Sequence, residues 1–295
     1  MTPTRRLITI VAASLVAVGL VACDANTIAP PGDGPLRYRD EVFSGVSVTD
    51  GLAYGSAVNS TGSTQTLRLD LYQPTGDILA TRPAIVWIHG GSFRSGSRTS
   101  PELVDQANVF SRKGFVNVSI TYRLDPVGCS VASAGASCIR AIRDAKHDAQ
   151  AAVRWLRANA ATYRIDPTRI AVAGTSAGAI TALNVGYDED EPGTSGNPGY
   201  PSTVRAAVSL SGARLFGTPE PDDAWALLMH GTADVVVPCS GAQSTIAGLE
   251  AGGVQVSSTV WPGAGHVPYV ANRTQILTET TNFLWWSMNL TNAPS

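Results

Sequence analysis

The chemistry in this chain gathers around one serine. Residues 174–178 read Gly174-Thr175-Ser176-Ala177-Gly178, a hydroxyl between two glycines at the spacing of a tight turn. Glycine suits such positions because neighbouring backbone comes too close to admit a Cβ. The five residues follow an apolar run at 170–173 and precede Ala179-Ile180-Thr181-Ala182-Leu183, which opens a helical pattern. A strand, a sharp turn and a helix stand the Ser176 hydroxyl at a helix N-terminus, where N–H groups and the dipole favour negative charge. Nucleophilic attack is the chemistry such a placement serves. The five-letter pattern alone is common, and the competing reading is a chance match; the strand–turn–helix context argues for the nucleophile.

A serine nucleophile needs a site for the anion it creates, a base and an acid that orients the base. His89-Gly90-Gly91-Ser92-Phe93 closes the apolar run at 84–88. Its consecutive glycines leave backbone N–H groups unobstructed and able to bind an oxyanion, although alone the stretch reads as a simple connecting turn. The chain has four histidines, so the base can be sought by elimination. His89 belongs to the glycine turn, His147 lies in an amphipathic helix, and His230 ends a strand as a structural hydrogen-bonder. His266, in Pro262-Gly263-Ala264-Gly265-His266, sits on a loop after the last strand and is free to reach across, or to stand idle in solvent. For the acid, Asp234 follows the strand at 225–229 in His230-Gly231-Thr232-Ala233-Asp234. The run Asp188-Glu189-Asp190-Glu191 competes, and its Pro/Gly surroundings predict a solvated surface loop. Asp222 and Asp223 precede their strand and fall at the wrong end of a sheet.

These groups must be carried by rigid elements, and the hydrophobic pattern supplies them. Residues 67–72 (Leu67-Arg68-Leu69-Asp70-Leu71-Tyr72) alternate in polarity and stop at Gln73-Pro74, as a partly exposed strand does. Runs at 84–88, 115–120, 170–173, 206–210 and 225–229 are apolar on both faces, which parallel strands buried on both sides require. A last run covers 254–260. Helices are predicted over 101–113, with Ser100 as N-cap and Pro101 at the first position; over 143–161, with an alanine-rich stripe; and over 274–288. Such alternation implies an α/β domain with a mostly parallel sheet covered by helices on both sides.

Four segments in this order resemble the α/β-hydrolase superfamily, in its carboxylesterase/lipase group and close to hormone-sensitive-lipase-like and BD-FAE-like bacterial esterases. They are Leu69-Asp70-Leu71-Tyr72-Gln73-Pro74, the HGGSF turn, residues 166–178 ending in GTSAG, and HGTAD with the GAGH loop. The resemblance implies an α/β-hydrolase fold with an eight-stranded sheet. It also implies a Ser-His-Asp triad of Ser176, His266 and Asp234, with the backbone N–H groups of Gly91, Ser92 and Ala177 as oxyanion donors. The implied reaction is carboxylic-ester hydrolysis through an acyl-enzyme, with no metal or cofactor. Many relatives carry a third glycine where this chain has Ser92, which bears on the subgroup more than on backbone donation. Residues 179–204 hold one short helix and a Pro/Gly-rich loop, and 214–223 is a brief connection, so the cap is small or absent and the site open to bulky, aromatic or polymeric esters. The same triad serves a peptidase or amidase. A non-catalytic adhesion or lipid-anchored binding module would keep the fold without the chemistry.

Residues 1–22 read as a leader. Arg5 and Arg6 precede an apolar stretch from Leu7 to Leu20, and Leu20-Val21-Ala22-Cys23 resembles a bacterial lipobox. On that reading Cys23 is acylated and anchors an exported protein to a membrane of the cell envelope; an ordinary secretory signal with an incidental cysteine is the alternative. Residues 23–35, polar and Pro/Gly-rich, form a tether, and 36–295 the single enzyme domain. Export predicts a disulfide between Cys129 and Cys138, worth about 2–3 kcal/mol by loop-closure entropy, and leaves Cys239 as a small buried hydrophobe. No Cys/His spacing resembles a zinc site. The chain has 295 residues, 44% of them apolar and 15% charged, with net charge −2 and lysine only at Lys113 and Lys146. Without clustered cations, nucleic acid is excluded as a partner.

Overall fold

The strand-forming runs assemble one sheet, and those at its centre present apolar side chains to both faces. In the computed structural model, which describes residues 28–129, 135–188, 190–191 and 193–293, the strands are β1 (Val46–Val58), β2 (Thr64–Pro74), β3 (Arg82–Ile88), β4 (Val116–Thr121), β5 (Ile165–Thr175), β6 (Ala206–Leu210), β7 (Trp225–Gly231) and β8 (Val256–Trp261). The leader, Cys23 and the start of the tether lie outside the described residues. The order is β1-β2-β4-β3-β5-β6-β7-β8; β1 and β2 run antiparallel to their neighbours and the other six strands are parallel. The expected eight-stranded, mostly parallel sheet is what forms.

Successive side chains point to opposite faces of a strand, so β3 feeds two cores. Val86 and Ile88 join one with α2 (Ala136–Ala158), α4 (Ala177–Tyr187) and α5 (Cys239–Ala251). Ile85 and Trp87 join the other with α1 (Pro101–Arg112) and α6 (Tyr269–Ser287). A single turn, α3 (Ala160–Tyr163), leads into β5. The helices α2 and α6 start seven and five residues before their apolar stripes predict. Cys138 and Ile142 bury the first turns of α2, while α6 absorbs a non-helical residue at Asn272. Ser100 occupies the N-cap of α1 without a side-chain capping bond. None of the helices among the described residues is long and apolar enough to cross a membrane.

The acidic run is a surface loop as expected, and it also makes ion pairs that the sequence did not suggest. Asp188 lies 2.5 Å from the Lys146 ammonium, Asp190 3.1 Å from Arg154 and Glu191 3.0 Å from His147, all on α2. Lys146 and Arg154 are buried, and a buried cation needs a carboxylate partner, so the run stays at the surface, with Asp190 and Glu191 exposed, while its carboxylates also neutralise cations on the helix.

A second charged cluster fixes the exit of β4. Asp148, fully buried on α2, accepts from the Arg123 backbone N–H at 2.7 Å, from its guanidinium at 2.8 and 3.0 Å, and from the Ser195 hydroxyl at 2.6 Å. Arg123 also lies 3.2 Å from Asp144, but Asp148 is its fully buried partner, and removing that carboxylate leaves several of a buried cation's bonds unmade. Asp148→Ala is expected to lower unfolding free energy by about 3–5 kcal/mol, seen as a lower denaturation midpoint at unchanged m-value.

Candidate active site

Parallel pairing delivers the chemical groups to one edge of the sheet. Ile88 pairs with Gly174, so the HGGSF turn leaving β3 and the GTSAG turn leaving β5 emerge side by side. Thr175 pairs with Leu210, Leu210 with Met229 and Gly231 with Trp261, which places the segments after β6, β7 and β8 at the same level. Ligands bind beyond the carboxyl ends of strands in open sheets of this kind.

Ser176 holds φ +53° and ψ −118°, a strained conformation for a residue with a side chain, directly at the N-cap of α4. Its N–H donates to Leu210 O at 2.9 Å and its carbonyl accepts Ile180 N–H at 3.0 Å. The flanking glycines are sterically obligatory. A Cβ at Gly178 would stand 1.9 Å from Ile88 O, and one at Gly174 would stand 2.3 Å from the Gly178 carbonyl carbon.

The predicted triad residues are brought together. His266 Nε2 lies 2.8 Å from Ser176 Oγ, and His266 Nδ1 lies 2.8 Å from Asp234 Oδ2. A carboxylate can only accept, so Nδ1 carries the proton and Nε2 is free to accept that of the serine. The other oxygen of Asp234 accepts the N–H groups of Val236 at 2.9 Å and Val237 at 3.0 Å. Burial acts to raise the Asp234 pKa, but the His266 hydrogen bond, those two N–H groups and the His266 charge outweigh it and hold the pKa below the ordinary carboxylate value.

Peptide planarity sets the direction of the neighbouring amides, because each N–H points opposite the preceding carbonyl. Gly90 O accepts from His89 Nδ1 at 2.6 Å, which turns the Gly91 N–H the other way. Gly91, at φ +107°, has its carbonyl tied to the N–H groups of Arg94 at 2.9 Å and Ser95 at 3.0 Å, which turns the Ser92 N–H likewise. The Ala177 N–H heads the first turn of α4. Gly91, Ser92, Ser176 and His266 line one cleft of about 490 Å³.

Two histidines set aside by elimination act as supports. His230 Nε2 donates to Val237 O at 2.8 Å and lies 3.2 Å from Asp234 Oδ2, so it braces the turn that carries the acid. His89 stacks on Tyr122 at 4.2 Å, and burial pushes its pKa down to about 4 despite the bond to Gly90 O. The unfolded chain protonates His89 from pH 6.5 downward while the folded protein resists until about 4, so stability is lost across that window. The loss is about 3 kcal/mol at pH 4. His89→Gln cannot titrate, and urea unfolding at pH 7 and pH 4 should show its acid-induced loss smaller than the wild type's by that amount.

Three contributors escape sequence reasoning. Ser211, at φ +60° after β6, accepts the Val267 N–H at 3.0 Å and so clamps the residue beside His266. Glu102 and Thr175 form part of the cleft wall, with Thr175 Oγ1 donating to Glu102 at 3.3 Å. Only the positions of Thr175, next to Ser176, and of Ser211, just past a strand end, hinted at this. The disulfide Cys129–Cys138 is formed; Cys129 N–H donates to Ser92 O at 2.9 Å, and both cysteines border a second hollow that shares Ser92 with the cleft. Cys239, read as buried, is half-buried at the start of α5.

Comparison with known proteins bears on the fold and the reaction class. A family model described as BD-FAE matches residues 69–213. Phenmedipham hydrolase from Pseudarthrobacter oxydans is 43% identical over 63 residues, 21% of this chain and 12% of that protein, so the match spans about an eighth of the relative's length. Esterase 2 of Thermogutta terrifontis superposes with a TM-score of 0.66 at 23% identity, covering 85% of this chain and 95% of that one. The same esterase phosphorylated by paraoxon gives 0.67 at 24%, covering 88% and 100%. Strand order, the turn after β5 and these likenesses together show the α/β-hydrolase fold, and residues 69–213 match the BD-FAE family model.

Proposed function

We propose that the protein is a serine carboxylic-ester hydrolase in which Ser176 is the nucleophile, His266 the base and Asp234 the orienting acid. The observation that carries this reading is the unbroken chain of two 2.8 Å contacts from carboxylate to imidazole to hydroxyl. His266 Nε2 takes the hydroxyl proton as Ser176 Oγ bonds to the ester carbonyl carbon. The negative oxygen falls to the N–H groups of Gly91, Ser92 and Ala177. His266 then returns the proton to the leaving alcohol as the C–O bond breaks. Water, deprotonated by the same imidazole, releases the acid and restores the serine. The esterase and hydrolase names of the similar proteins support the reaction class.

The site suits esters with bulky, aromatic or polymeric parts. Residues 211–224, between β6 and β7, contain no helix or strand that could form a cap. Val236 and Val267 line the cleft, and Val235 and Val270 nearby are about nine-tenths exposed, offering apolar surface to such groups. The protein is also proposed to be exported and anchored through acylated Cys23. A fluorophosphonate probe tests the catalytic reading: stoichiometric labelling at Ser176 supports it, and inertness of folded protein refutes it. A p-nitrophenyl panel from acetyl to long and aromatic acids tests the substrate range, which fails if only acetyl and butyryl esters turn over.

A further inference from the structure

The cleft carries one carboxyl side chain among its described lining residues. Glycines, hydroxyls, two valines and His266 make up the rest; Glu102 stands among them in the first turn of α1. Its carboxylate touches Thr175, the residue preceding the nucleophile, through the 3.3 Å hydrogen bond. No Lys or Arg ion-pairs with it among the described residues. Three arginines on neighbouring segments have other places. Arg98 is bound to Asp70 at 2.6 Å, Arg273 to Asp105 at 2.6 and 2.8 Å, and Arg94 borders the neighbouring hollow beyond Ser92. Carboxylates in this protein are elsewhere regularly matched with guanidinium or ammonium groups, as at Asp148 and Asp188. Glu102 instead leaves its charge to whatever enters the cleft.

We infer that Glu102 sets the charge preference of the cleft, favouring esters that bear a cationic ammonium group over neutral isosteres and disfavouring anionic ones. The inference rests on the hydrolase reading above and narrows its substrate class. A unit charge held roughly 6 Å from the carboxylate, in a half-screened cleft, gains enough Coulomb energy to shift relative kcat/KM by about tenfold. The same attraction is weakened by salt, because ionic strength shortens the distance over which charges are felt.

The test compares matched ester pairs. Acetylthiocholine is set against S-3,3-dimethylbutyl thioacetate, which varies the alcohol half; p-nitrophenyl betaine is set against p-nitrophenyl 3,3-dimethylbutyrate, which varies the acyl half. Dividing the wild-type cationic-to-neutral ratio of kcat/KM by that of Glu102→Gln cancels the intrinsic reactivity of each ester. A quotient of about ten for at least one pair, with a wild-type ratio that falls between 0.01 and about 0.5 M salt, supports the inference; the salt measurement does not depend on the variant folding. Quotients near one for both pairs, or salt-indifferent wild-type ratios, overturn it while leaving the hydrolase reading intact. Wild-type protein that hydrolyses none of the four esters and resists a fluorophosphonate overturns both.

Discussion

Ser176→Ala is expected to lower kcat for p-nitrophenyl acetate by about 10⁴–10⁶-fold, to the level left by anion binding and positioning alone. The size of the effect follows from the geometry. Ser176 Oγ is the atom His266 Nε2 reaches at 2.8 Å, and alanine removes both the nucleophile and the proton the imidazole must take. Few substitutions disturb the protein less. The backbone of Ser176 is held by Leu210 O and Ile180 N–H whatever side chain it bears, and alanine pays about the same cost as serine at φ +53°. A normal circular dichroism spectrum together with lost turnover and lost fluorophosphonate labelling is the expected result. Unchanged turnover in the folded variant would remove Ser176 from the mechanism.

Asp234→Asn is expected to reduce kcat by about 10⁴-fold without removing a single heavy-atom contact. The N–H groups of Val236 and Val237 require an acceptor, so the amide oxygen stays on them and the NH₂ turns toward His266. A donor now faces Nδ1, which must become an acceptor; the ring proton moves to Nε2 and points at the serine it should relieve. His230 Nε2, 3.2 Å from the same position, meets a second donor and adds to the mismatch. Stability also changes with a definite sign. The depressed pKa of Asp234 contributes stability at neutral pH that the wild type loses as the carboxylate is protonated in acid, and the asparagine variant has none to lose. Single-turnover kinetics separate the two consequences, since loss of acylation rate in a folded variant is the catalytic one. An acylation rate within tenfold of wild type would show that Asp234 does not orient the base.

The central sheet and the triad could be read from the chain because each rests on local rules. Strands buried on both faces have no polar alternation, so 84–88, 206–210 and 225–229 announced themselves, and the glycines around Ser176 answer to sterics within a few residues. The rest depends on contacts distant in sequence. β1 mixes exposed polar residues with glycines and is held by pairing with β2, while α5 is built of small residues with little contrast between its faces. The early start of α2 comes from burying Cys138 and Ile142. The acidic run was legible as a surface loop but its ion pairs were not, because the cations, Lys146 and Arg154, lie some forty residues earlier on a helix whose outer face reads as polar. Ser211 and Glu102 reach the site only through the stacking of β6 and α1 against their neighbours.

The Cys129–Cys138 bridge has a practical consequence for anyone making the protein. Its first cysteine donates a backbone hydrogen bond to Ser92, so the covalent link stitches the turn beside the nucleophile to the start of α2. Material produced in a reducing cytosol and material folded in an oxidising compartment are therefore different reagents with one sequence, and only the second has that turn sewn in place before an ester arrives.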